Sequence, residues 1–286
     1  MGDNRTNKGL GIGVRRVIAY IVLILLTFLC LFWFYVLFIN ATRSNANLSR
    51  GFSPLPGTSF KENWNNMIHG TLPVFYGMFN SFFVASCTAV LSTYFSTMTA
   101  FAIHAYNFRF KNAIFTFILM IMTIPTQVTA LGFIRLVDNM GLMNNFIPLI
   151  VPSIAAPVVF FYMKQYMESA LPLAFVEAAR IDGSSEFHTF NFIVLPMMKP
   201  AIAVQAIFTF VGSWNNYFTP ALILTSNEKR KTLPILIAQL RAADWLKFDM
   251  GQVYMMIAFS IFPVIVVYLI LSRFIVSGVA LGGVKG

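Results

Sequence analysis

The chain has 286 residues, of which 58% are hydrophobic and 10% charged, with a formal net charge of +10 and a mean hydropathy of +0.73. A soluble domain carries about 25% charged residues, so the composition excludes a soluble globular protein and places the chain in the membrane class. The basic residues are scattered around the ends of apolar blocks and form no single stripe; they read as membrane-flanking charge and exclude a nucleic-acid binder.

A helix needs about 20 apolar residues to cross the hydrocarbon. Six stretches free of Asp, Glu, Lys and Arg are long enough: 17–39, 72–108, 112–134, 142–163, 200–227 and 250–272. In lipid only helices and closed barrels satisfy the backbone, and these runs lack the period of two that a barrel strand shows. The expected fold class is all-α, a polytopic membrane protein with six transmembrane helices. In chain order, 1–16 is a short basic tail and 17–39 the first transmembrane helix. That run follows Arg15 and Arg16, but it exceeds the roughly 7–15 apolar residues of a signal-peptide core and no small-x-small cleavage pattern follows, so it is expected to remain as a span. Residues 40–74 form a polar loop containing SPLPGTSFKENWNN, rich in turn formers. Spans at about 77–101, 112–134 and 144–163 are joined by short connections. The polar segment 164–199 precedes spans at 201–224 and 251–272, which a second loop, 225–249, separates; 273–286 is the tail.

Cys30 and Cys87 both fall within apolar runs and read as packing residues. His69, His104 and His188 share no ligand-like spacing. No cofactor or metal is expected. With the amino terminus inside, eleven Lys and Arg fall on the inner side and nine outside, too narrow a margin for the positive-inside rule to decide orientation.

The polar segment contains VEAARIDGSSEFHTFNFIVLPMMKP, with Glu177, Arg180, Asp182, Glu186 and Lys199 between oily runs. Pro172 suits a first helical turn, where its missing N–H is not needed. Ala174, Ala178 and Ala179 favour helix, and Gly183 tolerates the left-handed conformation that ends one. Ser184 or Ser185 can cap a second helix through EFHTFNFIVL, and Pro196 and Pro200 break the backbone where the fifth span begins. Local physics predicts a helix, a glycine turn and a helix at the membrane surface. It leaves open whether this is a docking element or an interfacial helix without a partner.

The spacing Glu-Ala-Ala, three residues, Gly, nine residues, Ile-x-Leu-Pro is met by Glu177, Ala178, Ala179, Gly183, Ile193, Leu195 and Pro196. It resembles the EAA loop of ATP-binding-cassette (ABC) importer permeases. IPTQV, GLMNNFIPLIVP, FTFVGSWNNYFTP and the closing GGVKG resemble the carbohydrate branch, in particular the maltose-type permease with this ending. The resemblance covers nearly the whole chain, least in the loop between the first two spans. It implies the type I ABC importer permease fold, with the transmembrane domain over 75–272, and a permease subunit that forms half of a translocation path in the plasma or inner membrane. It also implies a cytoplasmic loop whose short helix docks on an ATPase, with Glu177 at the contact, Ala178 and Ala179 permitting close approach, Asp182 beside them and Gly183 setting the bend. The implied partners are an ABC ATPase dimer, a second related permease subunit, an extracytoplasmic solute-binding protein and a sugar or oligosaccharide. Both termini are then cytoplasmic, with 40–74 outside.

No GxxxxGK[ST] phosphate loop occurs, so ATP hydrolysis is expected on a separate subunit and the chain is not expected to be an enzyme. Sugars need neutral hydrogen-bonding groups and aromatic faces. At a rise of about 1.5 Å per residue, Asn80, Gln127, Trp214, Asn215, Asn216 and Tyr217 are placed within the spans as candidates for the path; interhelical hydrogen bonding and interfacial anchoring are the competing roles for each. A secondary transporter would use ionisable groups inside the spans, which are absent. A membrane-embedded enzyme would want clustered His, Asp or Glu near the bilayer. An ABC permease for a peptide or amino acid is the main alternative.

Overall fold

The computed structural model describes residues 7–241 and 249–282, with side chains over 13–241 and 249–275. Residues 283–286 of the closing GGVKG, and Lys247 of the second loop, lie outside the described residues. The described residues are predominantly helical and contain no strand. Four helices are long and apolar enough to cross a membrane: Gly13–Ala41, Val74–Ala105, Ile147–Ala170 and Met250–Ile275. Two bent pairs raise the number to six if each is one span: Lys111–Ile121 with Thr126–Asn139, bent by 97°, and Glu186–Met197 with Lys199–Trp214, bent by 80°.

The contacts divide the chain into two units. The first holds residues 1–70 and 240–259, with α1 (Asn7–Ala41), α2 (Asn45–Ser49) and α3 (Phe60–His69). Helix α1 is exposed along its apolar length, as a lipid-facing helix is. Its end is tied off by Arg43, which is buried and donates to Asn40 Oδ1 at 3.2 Å and to the carbonyls of Asn47 at 2.6 Å and Gly51 at 2.9 Å. The buried Asn63 amide donates to the Ala41 and Arg43 carbonyls at 2.8 and 2.9 Å. A buried guanidinium without a carboxylate is costly unless its N–H groups are met, and here three neutral oxygens meet them. The polar loop is thus ordered by the carbonyls its own turns leave free.

The second unit holds residues 71–239 and 260–286. Its helices are α4 (Val74–Ala105), α5 (Lys111–Ile121), α6 (Thr126–Asn139), α7 (Ile147–Ile150, continued by a 3₁₀ turn to Ile154) and α8 (Pro157–Ala170). Then follow α9 (Leu173–Ile181), α10 (Glu186–Thr189), a π-turn over Phe190–Val194, α11 (Leu195–Met197), α12 (Lys199–Trp214), α13 (Phe218–Ile223) and α14 (Leu233–Arg241). The last helix, α15 (Met250–Gly282), begins in the first unit and ends in this one.

Helix α4 is the centre of the second unit and packs on both α8 and α12. Its buried positions are dominated by small residues, among them Ala85, Ala89, Ser92, Thr93, Ser96, Thr97 and Ala100. Between lipid-embedded helices apolar surface gives little drive, so small side chains that let backbones approach take over. The hydroxyls of this seam are satisfied locally, Thr93 on the Ala89 carbonyl at 2.7 Å and Thr97 on the Thr93 carbonyl at 2.6 Å.

Three stretches expected as straight spans are broken. In 144–163 the 3₁₀ turn ends at Ile154 and α8 starts at Pro157, with Ala155 and Ala156 between them outside helical geometry. In 112–134 the chain turns between α5 and α6 at Pro125, whose backbone is extended (φ −62°, ψ 131°). Proline removes an N–H and steers the residue before it away from helix. In 201–224, α12 ends at Trp214 and α13 starts afresh at Phe218. The proline pair acts as the sequence predicts: Met198 (φ −85°, ψ −1°) is a turn between α11 and α12, flanked by Pro196 and Pro200, and the 80° bend falls there.

Candidate coupling segment and path residues

Between α8 and α12 the backbone forms a helix, a glycine turn and a second helix. Pro172 stands one position ahead of α9, with extended backbone (φ −59°, ψ 132°). Gly183 takes φ +78°, the left-handed region, and the Ser184 N–H closes the turn on the Ala179 carbonyl at 2.9 Å. Ser185 is the cap of α10, its hydroxyl accepting from the His188 N–H at 3.3 Å.

The segment has an anchored face and an open one. Val176 and Phe190 are buried in the cluster that holds Phe101 of α4, Phe160, Met163 and Met167 of α8 and Ala201 of α12. On the open face Glu177, Ala178, Asp182 and Gly183 are exposed, and Ile181 is 86% exposed. Ala179 is buried, so its small side chain lets α9 settle on its own chain. Ile181 thus protrudes at the end of α9, with the Asp182 carboxylate next to it and Glu177 one helical turn earlier.

The turn is held from outside by three side chains. Arg180 Nε donates to Glu186 Oε1 at 2.8 Å across Gly183, and its guanidinium lies 5.0 Å from the centre of the Tyr106 ring. The Tyr106 hydroxyl donates to the other oxygen of Glu186. The Arg180 hydrogen bond first, and the Tyr106 hydrogen bond second, hold the Glu186 carboxyl below its ordinary range. Burial and then the Glu186 carboxylate push the Tyr106 hydroxyl up. Tyr106 follows directly on α4, so the clamp ties the turn to the end of the central helix. Sequence reasoning missed it: Arg180 and Glu186 are six apart, outside helical spacing, and Tyr106 lies far upstream. The cue was the φ-positive glycine between two opposite charges.

The candidate path residues take different places. Asn80 is buried, and its amide donates to the Lys229 and Lys231 carbonyls at 2.8 and 3.0 Å, so both its hydrogens are committed to the second loop, 225–249. Trp214 is buried and stacked on Phe210, ring centres 5.8 Å apart. Gln127, Asn215, Asn216 and Tyr217 are exposed. Asn216 lines a cavity that Asn80, Gln127, Trp214, Asn215 and Tyr217 do not.

Residues 92–280 match the family described as binding-protein-dependent transport system inner membrane component. The chain is similar to an arabinooligosaccharides transport system permease protein of Bacillus subtilis, 32% identical over 96% of this chain and 97% of that one. It is 29% identical to a sn-glycerol-3-phosphate transport system permease protein of Brucella abortus, over 93% and 96% of the two chains. A crystal structure of a bacterial ABC transporter involved in the import of the acidic polysaccharide alginate contains a chain of the same fold, with TM-score 0.77 and 21% identity over 96% of this chain and 99% of that one. With four helices long and apolar enough to cross a membrane, six if each bent pair is one span, and a family match over about two thirds of its length, the chain is a multi-pass membrane protein that belongs to the binding-protein-dependent transport system inner membrane components, the permeases of ABC importers.

Proposed function

We propose that the chain is the permease subunit of a sugar or oligosaccharide importer, and that the α9–Gly183–α10 segment is the lever through which a separate ATPase drives it. The observation that carries the lever is the division of α9 into two faces. Val176 seats it in the core shared by α4, α8 and α12, while Glu177, Ala178, Ile181 and Asp182 stand open. Force applied to the open face reaches three membrane helices through packed side chains, because close-packed cores shift as units. Ala179 belongs to this set by letting α9 lie close to its own chain, and Gly183 by fixing the bend.

In this reading the chain works beside a second related permease, two ATPases and an extracytoplasmic solute-binding protein. The 164–199 segment and both termini are cytoplasmic, with 40–74 outside. The sugar assignment draws on the arabinooligosaccharide relative, which covers 96% of this chain. Gln127, Asn215, Asn216 and Tyr217 are proposed to border the path. Asn80 and Trp214 are proposed to shape it, Asn80 by holding the outer loop and Trp214 by stacking.

A tagged chain purified in mild detergent should bring down an ATPase and a second permease. Vesicles holding the whole complex should take up neutral oligosaccharides in preference to peptides when ATP is supplied on the ATPase side. An active transporter recovered from this chain alone would refute the lever.

A further inference from the structure

A cavity of about 350 Å³ lies in the second unit among α4, α6, the 3₁₀ turn after α7, the end of α12 and α13. It is at the small end of the range typical of small-molecule sites, about 300–1,000 Å³. No Asp, Glu, Lys or Arg lines it. The nearby cations of the outer loop are engaged elsewhere: Arg230 donates to the Asn144 carbonyl at 2.5 Å and Lys231 pairs with Glu228.

Its polar lining is neutral: Ser81, Thr126, Thr129 and Ser153 are hydrogen-bonded within the chain, and the other half is uncommitted. Ser213, Asn216 and Thr219 make no side-chain hydrogen bond among the described residues, and the hydroxyl of Thr232, a residue 4% exposed, is buried without a partner. Most polar side chains near a protein interior are paired, as Thr93 and Thr97 of α4 are on carbonyls of their own helix. Phe133 supplies the one aromatic ring in the lining.

We propose that this cavity is a subsite for one ring of a neutral, hydroxyl-rich ligand. It rests on the sugar-importer reading above and deepens it by choosing among cargo chemistries. An anionic ligand would enter without a counter-cation, a large cost away from bulk water. A purely apolar ligand would leave the three open polar groups unmet. A sugar ring presents hydroxyls to Ser213, Asn216 and Thr219 and a C–H face to Phe133. The subsite therefore favours neutral saccharide over the phosphorylated or acidic cargo that two of the similar proteins carry in their names.

The test uses the intact complex in proteoliposomes with arabinotriose and glycerol 3-phosphate as probes. Wild type should import arabinotriose and leave glycerol 3-phosphate outside. Ser213→Ala and Thr219→Val should each slow arabinotriose uptake about fivefold at sugar well below half-saturation, the worth of one net hydrogen bond. Thr219→Ser should restore the rate. Thr88→Val removes another unpartnered hydroxyl, on α4 outside the cavity, and should leave uptake at the wild-type rate. In a chain lacking Cys30 and Cys87, arabinotriose should slow maleimide modification of Ser213→Cys. Wild-type import of arabinotriose with no effect of Ser213→Ala or Thr219→Val, and no protection at 213, would overturn the subsite and leave the importer standing. Wild-type preference for glycerol 3-phosphate would overturn both the subsite and the sugar reading.

Discussion

Arg180 and Glu186 face each other across the Gly183 turn, guanidinium Nε to carboxylate Oε1 at 2.8 Å, and close it like a latch. The pair is on the surface, with side chains 37% and 47% exposed, so its worth to global stability is small and screened by salt. Its consequence is angular. With Tyr106 on the second carboxylate oxygen, the latch fixes the direction of α9 and α10 relative to the end of α4. Glu186→Gln keeps the shape and removes the charge. Backbone amides of residues 184–188 should then exchange faster in the detergent-solubilised chain, while those in the buried stretch of α4 stay unchanged. Equal exchange in both would remove the latch from the account.

The same pair sets a pH dependence. The folded-state pKa of Glu186 is lowered by Arg180 and then by Tyr106. A depressed carboxyl contributes fully above its unfolded value, about 4.3, and its contribution fades as the pH falls through the lower folded value. Exchange protection of residues 184–188 should therefore be flat from pH 8 to pH 5 once intrinsic exchange is divided out, and decline only in stronger acid. In Glu186→Gln the acid decline should be absent.

Gly183 offers a test in which sterics and backbone strain separate. A Cβ placed there meets nothing within 4 Å, yet the φ of +78° is one that L side chains rarely adopt. Strain alone should act, at about 1–2 kcal/mol for an ordinary residue. Gly183→Asn, which tolerates that region, should keep uptake near wild type, whereas Gly183→Val should lower uptake at normal abundance. Equal loss in both would point to crowding by a partner at this spot.

How far the sequence foretold this arrangement depends on the range of the interaction. Helix existence was readable from charge-free runs, and the Gly183 turn and Ser185 cap from local stereochemistry. The kink at Pro125 was present in IPTQV, but the length of the run read as one span because hydropathy carries no direction. Asn80 was placed in the path by depth along a helix. Its bonds to Lys229 and Lys231 join residues about 150 apart, and no local pattern announces such a pair. The resemblance assigns Ala179, with Ala178, to the close approach of a partner, and only the position of the core turns Ala179 inward.

The second loop, 225–249, hangs on Asn144. This residue has φ +56°, its N–H bonds the Ile223 carbonyl at 3.0 Å, its Oδ1 accepts from the Ser226 N–H at 2.8 Å and its carbonyl receives Arg230. Asn144→Ala loses the side-chain bond and raises the cost of the left-handed backbone, together about 1–3 kcal/mol of local stability. Asn144→Gly keeps the backbone and loses only the bond, so it should sit between. Trypsin added to intact vesicles with this loop outward should cut at Lys229–Lys231 faster in the order wild type, glycine, alanine. Cleavage at one rate in all three would separate Asn144 from the loop's order.

Glu177 tests the lever itself. It is exposed on the open face of α9 beside Ala178, and no ion pair to it occurs among the described residues. Its replacement therefore breaks nothing within the chain, and Glu177→Lys should leave insertion, abundance and thermal unfolding as they are. At an interface a reversed charge can set like charges against each other at a cost of several kcal/mol, which is a loss of two or more orders of magnitude in capture. ATPase recovered with the tagged chain should fall to background, and uptake with it. Ala178→Trp, beside it on the same open face, should do the same by bulk, while Glu177→Gln should lose far less. The contrast with Val176→Ala is the useful one. That change opens a cavity under α9 in the cluster shared with α4 and α8, so it should keep the ATPase bound and slow transport per ATP hydrolysed. If Glu177→Lys retained both ATPase and uptake, the open face of α9 would not be where the motor holds this chain.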